Sequence, residues 1–285
     1  MTLRFAYNTN GTANHRLLDA VHLIADAGYD GVALTLDHHH LDPMEEGWRQ
    51  RAEDLARVLR ERRLGCVIET GARYLLDPRA KHEPTLVTAS AEGRARRLAF
   101  LTRAAEIGAM LGAEAVSFWA GVPKPGVDHA EARGWVREGC AAMVETCARL
   151  GLHAALEPEP GMLIETVDDY AALGVPGLTL ALDLGHLLVT GEREPPDALH
   201  EFAPRLGTVA IEDMRRGDHT HLPFGEGDMD IPACLHALQA VRFAGLVCVE
   251  LSRESHRAHE MVPQALRYLR ECRQRVAHRK PEGAL

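Results

Sequence analysis

The stretch "LRFAYNTNGTANHRLLDAVHLIADAGYDGVALTL", residues 3–36, decides the fold. A short apolar run at 3–7 has strand character. A helical pattern follows over "NHRLLDAVHLIADAG", ended by Gly28, and a second apolar run, "GVALTL" at 31–36, comes directly after. Strand, helix and strand in so short a span make a parallel unit with a right-handed crossover. No GxGxxG or phosphate-loop motif follows the first strand, which counts against an open dinucleotide-binding sheet.

The alternation continues to the end of the chain. A helix over about 47–63 carries Leu55, Val58 and Leu59 at helical spacing, Gly65 closes it, and the strand "CVIET" (66–70) follows. After a long polar loop come a helix over 92–111, the strand "AEAVSFW" (113–119) and a helix over 129–149. The strands "HAALE" (153–157) and "LTLALD" (178–183) flank a short helix near 167–173. A weak helix near 197–202 precedes "GTVAIED" (207–213); a helix near 231–241, the strand "LVCVEL" (246–251) and a last helix near 259–275 complete the series. Eight strand–helix units without a linker predict the α/β class and one (β/α)8 TIM barrel over residues 1–276, with a flexible polar tail at 277–285. The length of 285 residues suits one such barrel.

Composition narrows the function classes. Apolar content of 46% and charged content of 26% are those of a globular chain, not a disordered one. The balance of 32 basic against 41 acidic residues weakens a nucleic-acid reading, which calls for a basic footprint. Cys66, Cys140, Cys147, Cys234, Cys248 and Cys272 form no CxxC pair, so reduced thiols in a cytoplasmic protein are expected. The N-terminus shows no basic region followed by an apolar core, and no apolar run reaches membrane-spanning length. A homo-oligomer stays open.

In a barrel of this kind the chemistry sits where strands end at their C-termini. Asn8 and Asn10 follow the first strand, and Asp37 with His38, His39 and His40 the second. Glu69 ends the third, with Arg73 and Tyr74 just beyond; Ser117 and Trp119 end the fourth. Glu157 and Glu159, then Asp183 and His186, end the next two. Glu212, Asp213, Arg216, His219 and His221 follow the seventh, and Glu250, Arg253 and His256 the eighth. Carboxylates converging at one rim are costly to bury unpaired, and a divalent cation removes that cost. Any single strand-end acid can equally be a cap or an ion-pair partner, as Asp213 illustrates. The loop 69–86, with Arg73, Tyr74, Lys81 and His82, has the length of a lid over the barrel mouth.

On "ALEPEPG" (155–161), "LALDLGH" (180–186), "VAIEDMRRG…HLPFGEGDMD" (209–230) and "VCVEL" (247–251), the chain resembles the xylose isomerase-like barrel superfamily, in particular its sugar phosphate isomerase/epimerase group. The resemblance implies that Glu157 and Glu250 act as metal ligands and as catalytic acid and base, that Asp183 binds metal, that His186 touches metal or substrate, and that Arg216 meets a substrate oxygen. It also implies a strand-seven histidine ligand, where this chain has Ala210. His219 and His221, two apart on an extended segment and therefore on one face, are the expected replacement. Imidazole-rich donors favour Mn, Fe, Co or Zn over Mg. His38, His40, Glu69, Arg73, Tyr74, Trp119 and Arg216 are the expected substrate contacts. The resemblance implies a small-molecule substrate, a sugar, sugar phosphate or polyol, isomerised or epimerised through an enediolate. The competing readings are a metal-dependent hydrolase of a small phosphoester, akin to apurinic endonucleases, and a non-catalytic binding barrel.

Overall fold

The computed structural model describes residues 2–278. Eight parallel strands close into one barrel: β1 (Arg4–Asn8), β2 (Gly31–Thr35), β3 (Gly65–Glu69), β4 (Ala115–Phe118), β5 (His153–Leu156), β6 (Thr179–Asp183), β7 (Leu206–Ile211) and β10 (Leu246–Val249). They follow chain order around the barrel, and β10 pairs with both β7 and β1 to close it. Helices α1 (Leu17–Ala27), α2 (Trp48–Arg62), α3 (Ala91–Leu111), α4 (His129–Leu150), α5 (Val167–Leu173), α7 (Pro195–Phe202) and α8 (Ile231–Ala240) lie between the strands in sequence, and α9 (Ala258–His278) follows the last. The expected single TIM barrel is therefore present.

Local chemistry sets the helix ends. Ser90 and Asp128 accept the N–H groups of Gly93 and Glu131 at the starts of α3 and α4, and Thr166 forms a capping box with Asp169 at α5. Gly28 ends α1 at φ 94°, a left-handed conformation that costs glycine little. The stop of α2 differs from expectation. Arg63 takes the left-handed cap at φ 56°, and Gly65 instead opens β3, where a Cβ would crowd Leu246 and Glu114.

Two elements escape the sequence periodicity. Helix α6 (Leu184–Thr190) starts immediately after β6, capped by Asp183 itself. The segment after β7 forms an antiparallel hairpin, β8 (Asp213–Arg215) and β9 (Asp218–Leu222). Helix α9 runs two residues past the expected boundary at 276; the rest of the expected tail, from residue 279, lies outside the described residues. Among the described residues no helix is long and apolar enough to cross a membrane. All six cysteines are buried and unpaired.

Candidate metal centre and active site

Side chains alternate along the barrel strands. Phe5 and Tyr7, Val32 and Leu34, Cys66 and Ile68, and Val247 and Val249 belong to the large core between sheet and helices. Ala6, Ala33, Val67, Leu246 and Cys248 form a separate cluster within the barrel, as do Ala115, Ala155 and Ala181. Two residues further along each strand, on the same face, stand Asn8, Thr35, Glu69, Ser117, Glu157, Asp183 and Glu250. Small apolar side chains thus fill the barrel, and a ring of polar ones sits above them at the C-terminal rim. Ala210 belongs to this ring on β7: its register partners are Asp183 on one side and Cys248 on the other.

A cavity of about 660 Å³ opens above the ring. Glu69, Glu157, Glu250, His186, His219, His221 and Trp119 line it, and loop 70–90 adds Arg73, Tyr74, Lys81 and His82. His82 pins that loop, with Nδ1 2.7 Å from the Gly71 carbonyl and its ring edge-on to Trp119 at 5.2 Å. Asp183 is almost fully buried in the wall, Nε2 of His186 lying 3.4 Å from its Oδ2.

Three expected substrate contacts lie elsewhere. The exposed His38 ring turns back onto Asp37, Nδ1 to Oδ1 at 2.9 Å. His40 is buried with Nε2 3.3 Å from the His15 carbonyl. Arg216 donates twice to the Glu194 carboxylate, at 2.8 and 2.9 Å, on the outer surface of the hairpin. A charged terminus satisfied by a surface carboxylate is not available to a cavity it does not line.

The imidazoles converge. His186 is carried by α6 and His219 and His221 by β9, so the hairpin brings residues over thirty positions apart onto one spot. Nε2 of His186 and Nε2 of His219 are 3.0 Å apart. His186 Nδ1 lies 3.1 Å from the Pro158 carbonyl, which can only accept, so that nitrogen carries the hydrogen. In the neutral ring Nε2 then holds a lone pair, facing both His219 Nε2 and Asp183 Oδ2. Lone pairs turned towards one point are the donor arrangement a cation needs. Ligand atoms of His186, His219 and His221 lie within 4.8 Å of one another, as do those of Glu157, Glu159 and His186. The chemistry of these residues fits a divalent transition metal.

The electrostatics agree. Burial, then Glu159, Glu69 and Glu250, hold the Glu157 carboxyl well above the usual carboxylate range. Burial and Glu250 push Glu69 to about 8. Burial and the adjacent His186 and His221 lower His219 to about 4, which keeps it an unprotonated donor. For Asp183, burial pushes upward, but His186 and His221 outweigh it and the net shift is downward. Glu250 receives amide hydrogen bonds from Asn10 at 2.8 Å and Asn8 at 3.3 Å.

Thr35, Met162 and Ser252 line the cavity without having been singled out from sequence, whereas Asn8, Asn10, His82, Ser117, Glu159 and Arg253 stood out by their places at strand ends or on the lid loop but carried no assigned role. Counting in twos from Ala33 along β2 finds Thr35. Asp213 is neither a helix cap nor an ion-pair partner; its oxygens accept the Gly225 and Met229 N–H groups at 2.8 and 3.1 Å and hold the Gly-Glu-Gly-Asp turn.

The chain is 24% identical over 252 residues to an L-ribulose-5-phosphate 3-epimerase of Shigella flexneri serotype 5b, covering 84% of this chain and 83% of that one. A solved L-ribulose 3-epimerase superposes with a TM-score of 0.75 at 19% identity, over 98% of this chain and all of the other. The IOLI protein, solved with a bound zinc atom, superposes with a TM-score of 0.73 at 17% identity, over 99% of this chain and 100% of that one. The model of the xylose isomerase-like TIM barrel family matches residues 21–272, and the chain belongs to that family.

Proposed function

We propose that this protein is a metal-dependent isomerase or epimerase of a sugar, sugar phosphate or polyol, working through an enediolate. The observation that carries the reading is the ring itself: Glu157 and Glu250 stand three strand positions apart around one rim, with Asp183, His186 and His219 grouped between them. Asp183, His186 and His219 would hold the cation, with His221, Glu157 and Glu250 as further donors. When bound, such a cation acts as a Lewis acid towards a carbonyl and its neighbouring hydroxyl. The Shigella relative is named for a sugar phosphate and the IOLI structure holds zinc, which supports substrate class and metal type. The imidazole donors favour Mn, Fe, Co or Zn over Mg.

The chain's own residues divide the remaining work. Glu250, fixed by two amide donors, takes the carbon-bound proton next to the carbonyl. Glu157, whose carboxyl burial and the neighbouring Glu159 hold above the usual carboxylate range, returns one from its own side of the rim. Trp119 and Tyr74 bound the apolar flank. Arg73 and Lys81, carried on the lid loop, meet a substrate phosphate or carboxylate where there is one. The lid also shields the intermediate from water.

The test is turnover of a panel of ketoses, aldoses and their phosphates by Mn2+-loaded protein, before and after chelation. Epimer formation is expected only with metal, and Glu250→Gln is expected to lower it by about 10²-fold or more. Full turnover by Glu250→Gln would sink the assignment. A second reading, metal-dependent hydrolysis of a small phosphoester, draws on the presence of more than one donor cluster at the rim. Phosphate release without an epimer would select it.

A further inference from the structure

Glu212 lies two residues beyond Ala210 and has no solvent exposure. Both its carboxylate oxygens lack a hydrogen-bond donor. Asp183 Oδ2 and His221 Nδ1 are buried and unpartnered at the same place. Ligand atoms of Asp183, Glu212 and His221 lie within 4.8 Å of one another. His221 Nδ1 is 3.9 Å from Glu212 Oε2, too far for a hydrogen bond but suited to a shared ion. Neither Asp183 nor Glu212 lines the mouth cavity. Among the described residues no Lys or Arg pairs with either.

We infer that Asp183, Glu212 and His221 form a second divalent-cation site, beside the mouth centre and joined to it through shared donors. The inference rests on the metal-dependent reading above and shares Asp183 and His221 with it.

Three features shape this pocket. Asp183 spends Oδ1 on the Gly185 and His186 N–H groups at the start of α6, which aims Oδ2 away from them. Gly185 leaves the room: a Cβ there would stand 2.2 Å from Glu212 Oε1 and 2.7 Å from Met214. Ala210 leaves β7 with no donor at the level of Asp183, and Glu212 supplies one two residues later. Two carboxylates and one imidazole suit Mn2+, Fe2+, Co2+ or Zn2+. A water molecule cannot offset two carboxylates at this spacing.

The experiment is a count of bound ions. The full chain is stripped with chelator, dialysed against Mn2+, and analysed for metal per chain, with far-UV circular dichroism as the check on folding. Two ions are expected in the wild type, one in Glu212→Gln, and one in His219→Ala, which thins the mouth centre instead. One ion in the wild type overturns the second site, whatever the variants do. Two ions in folded Glu212→Gln overturn Glu212 as a donor. If the wild type binds two ions yet turns over no sugar of the panel, the isomerase reading fails while the second site stands.

Discussion

At the scale of single residues, burial decides which histidines do chemistry. Burial and the adjacent His39 push His40 down to about 4 from 6.5. A histidine with a depressed folded value stabilises the fold above its unfolded value and loses that contribution as pH falls through the folded one. His40→Gln should therefore flatten the acid loss of stability between about pH 6.5 and 4, by on the order of 3 kcal/mol at most. Denaturant titrations at several pH values measure this. Metal-dependent turnover at neutral pH should be unchanged, since His40 does not line the cavity; a marked loss would return it to the site. His40 reads like a site residue in sequence because its position after a barrel strand is right. What removes it is the His15 carbonyl, a contact that spacing does not show. Glu157, Asp183 and Glu250 were legible for the opposite reason. Each ends an apolar strand whose alternation fixes the face it occupies. Glu212 was visible as a strand-end acid, but its isolation depends on Gly185 and Met214, which only the folded chain brings to it.

At the scale of elements, the β8–β9 hairpin and the lid do the positioning. Asp213 is almost fully buried and ties the hairpin to the turn at 225–229. Asp213→Asn replaces two charge-assisted hydrogen bonds and should cost roughly 1–3 kcal/mol in denaturant stability. It should also weaken Mn2+ binding, because the hairpin carries His219 and His221; unchanged affinity would mean that the hairpin holds its place without this anchor. The lid makes a separable prediction. His82→Ala removes the contacts to Gly71 and Trp119, so KM should rise several-fold while metal affinity stays constant. A fall in metal content would place His82 in the metal centre instead. The hairpin and α6 were illegible in sequence for a shared reason. They are only a few residues long, and both are set by side chains from elsewhere: Asp183 caps α6, and Asp213 clamps the hairpin.

At the scale of the molecule, the barrel confines Glu69, Glu157, Glu159, Asp183, Glu212 and Glu250 to one end, which the proposed cation would stabilise. A ligand present at 100 times its Kd adds about 2.7 kcal/mol, which for a chain of this size is a Tm shift of roughly 5 °C. Chelation should lower Tm by that order and Mn2+ should restore it; an unchanged Tm would contradict the metal centre. The eight-unit alternation made this architecture readable, since small inward residues and polar rim residues recur two apart on strand after strand. The substrate was not readable, because the shapes of loops such as 70–90 choose it. The central claim, proton transfer at carbon between Glu250 and Glu157, is tested most directly by turnover in D2O with Mn2+-loaded protein, read by nuclear magnetic resonance. Solvent deuterium is expected at the carbon next to the carbonyl of the epimerised sugar, and is expected to be lost in Glu250→Gln. Product formation with no deuterium on carbon would contradict it.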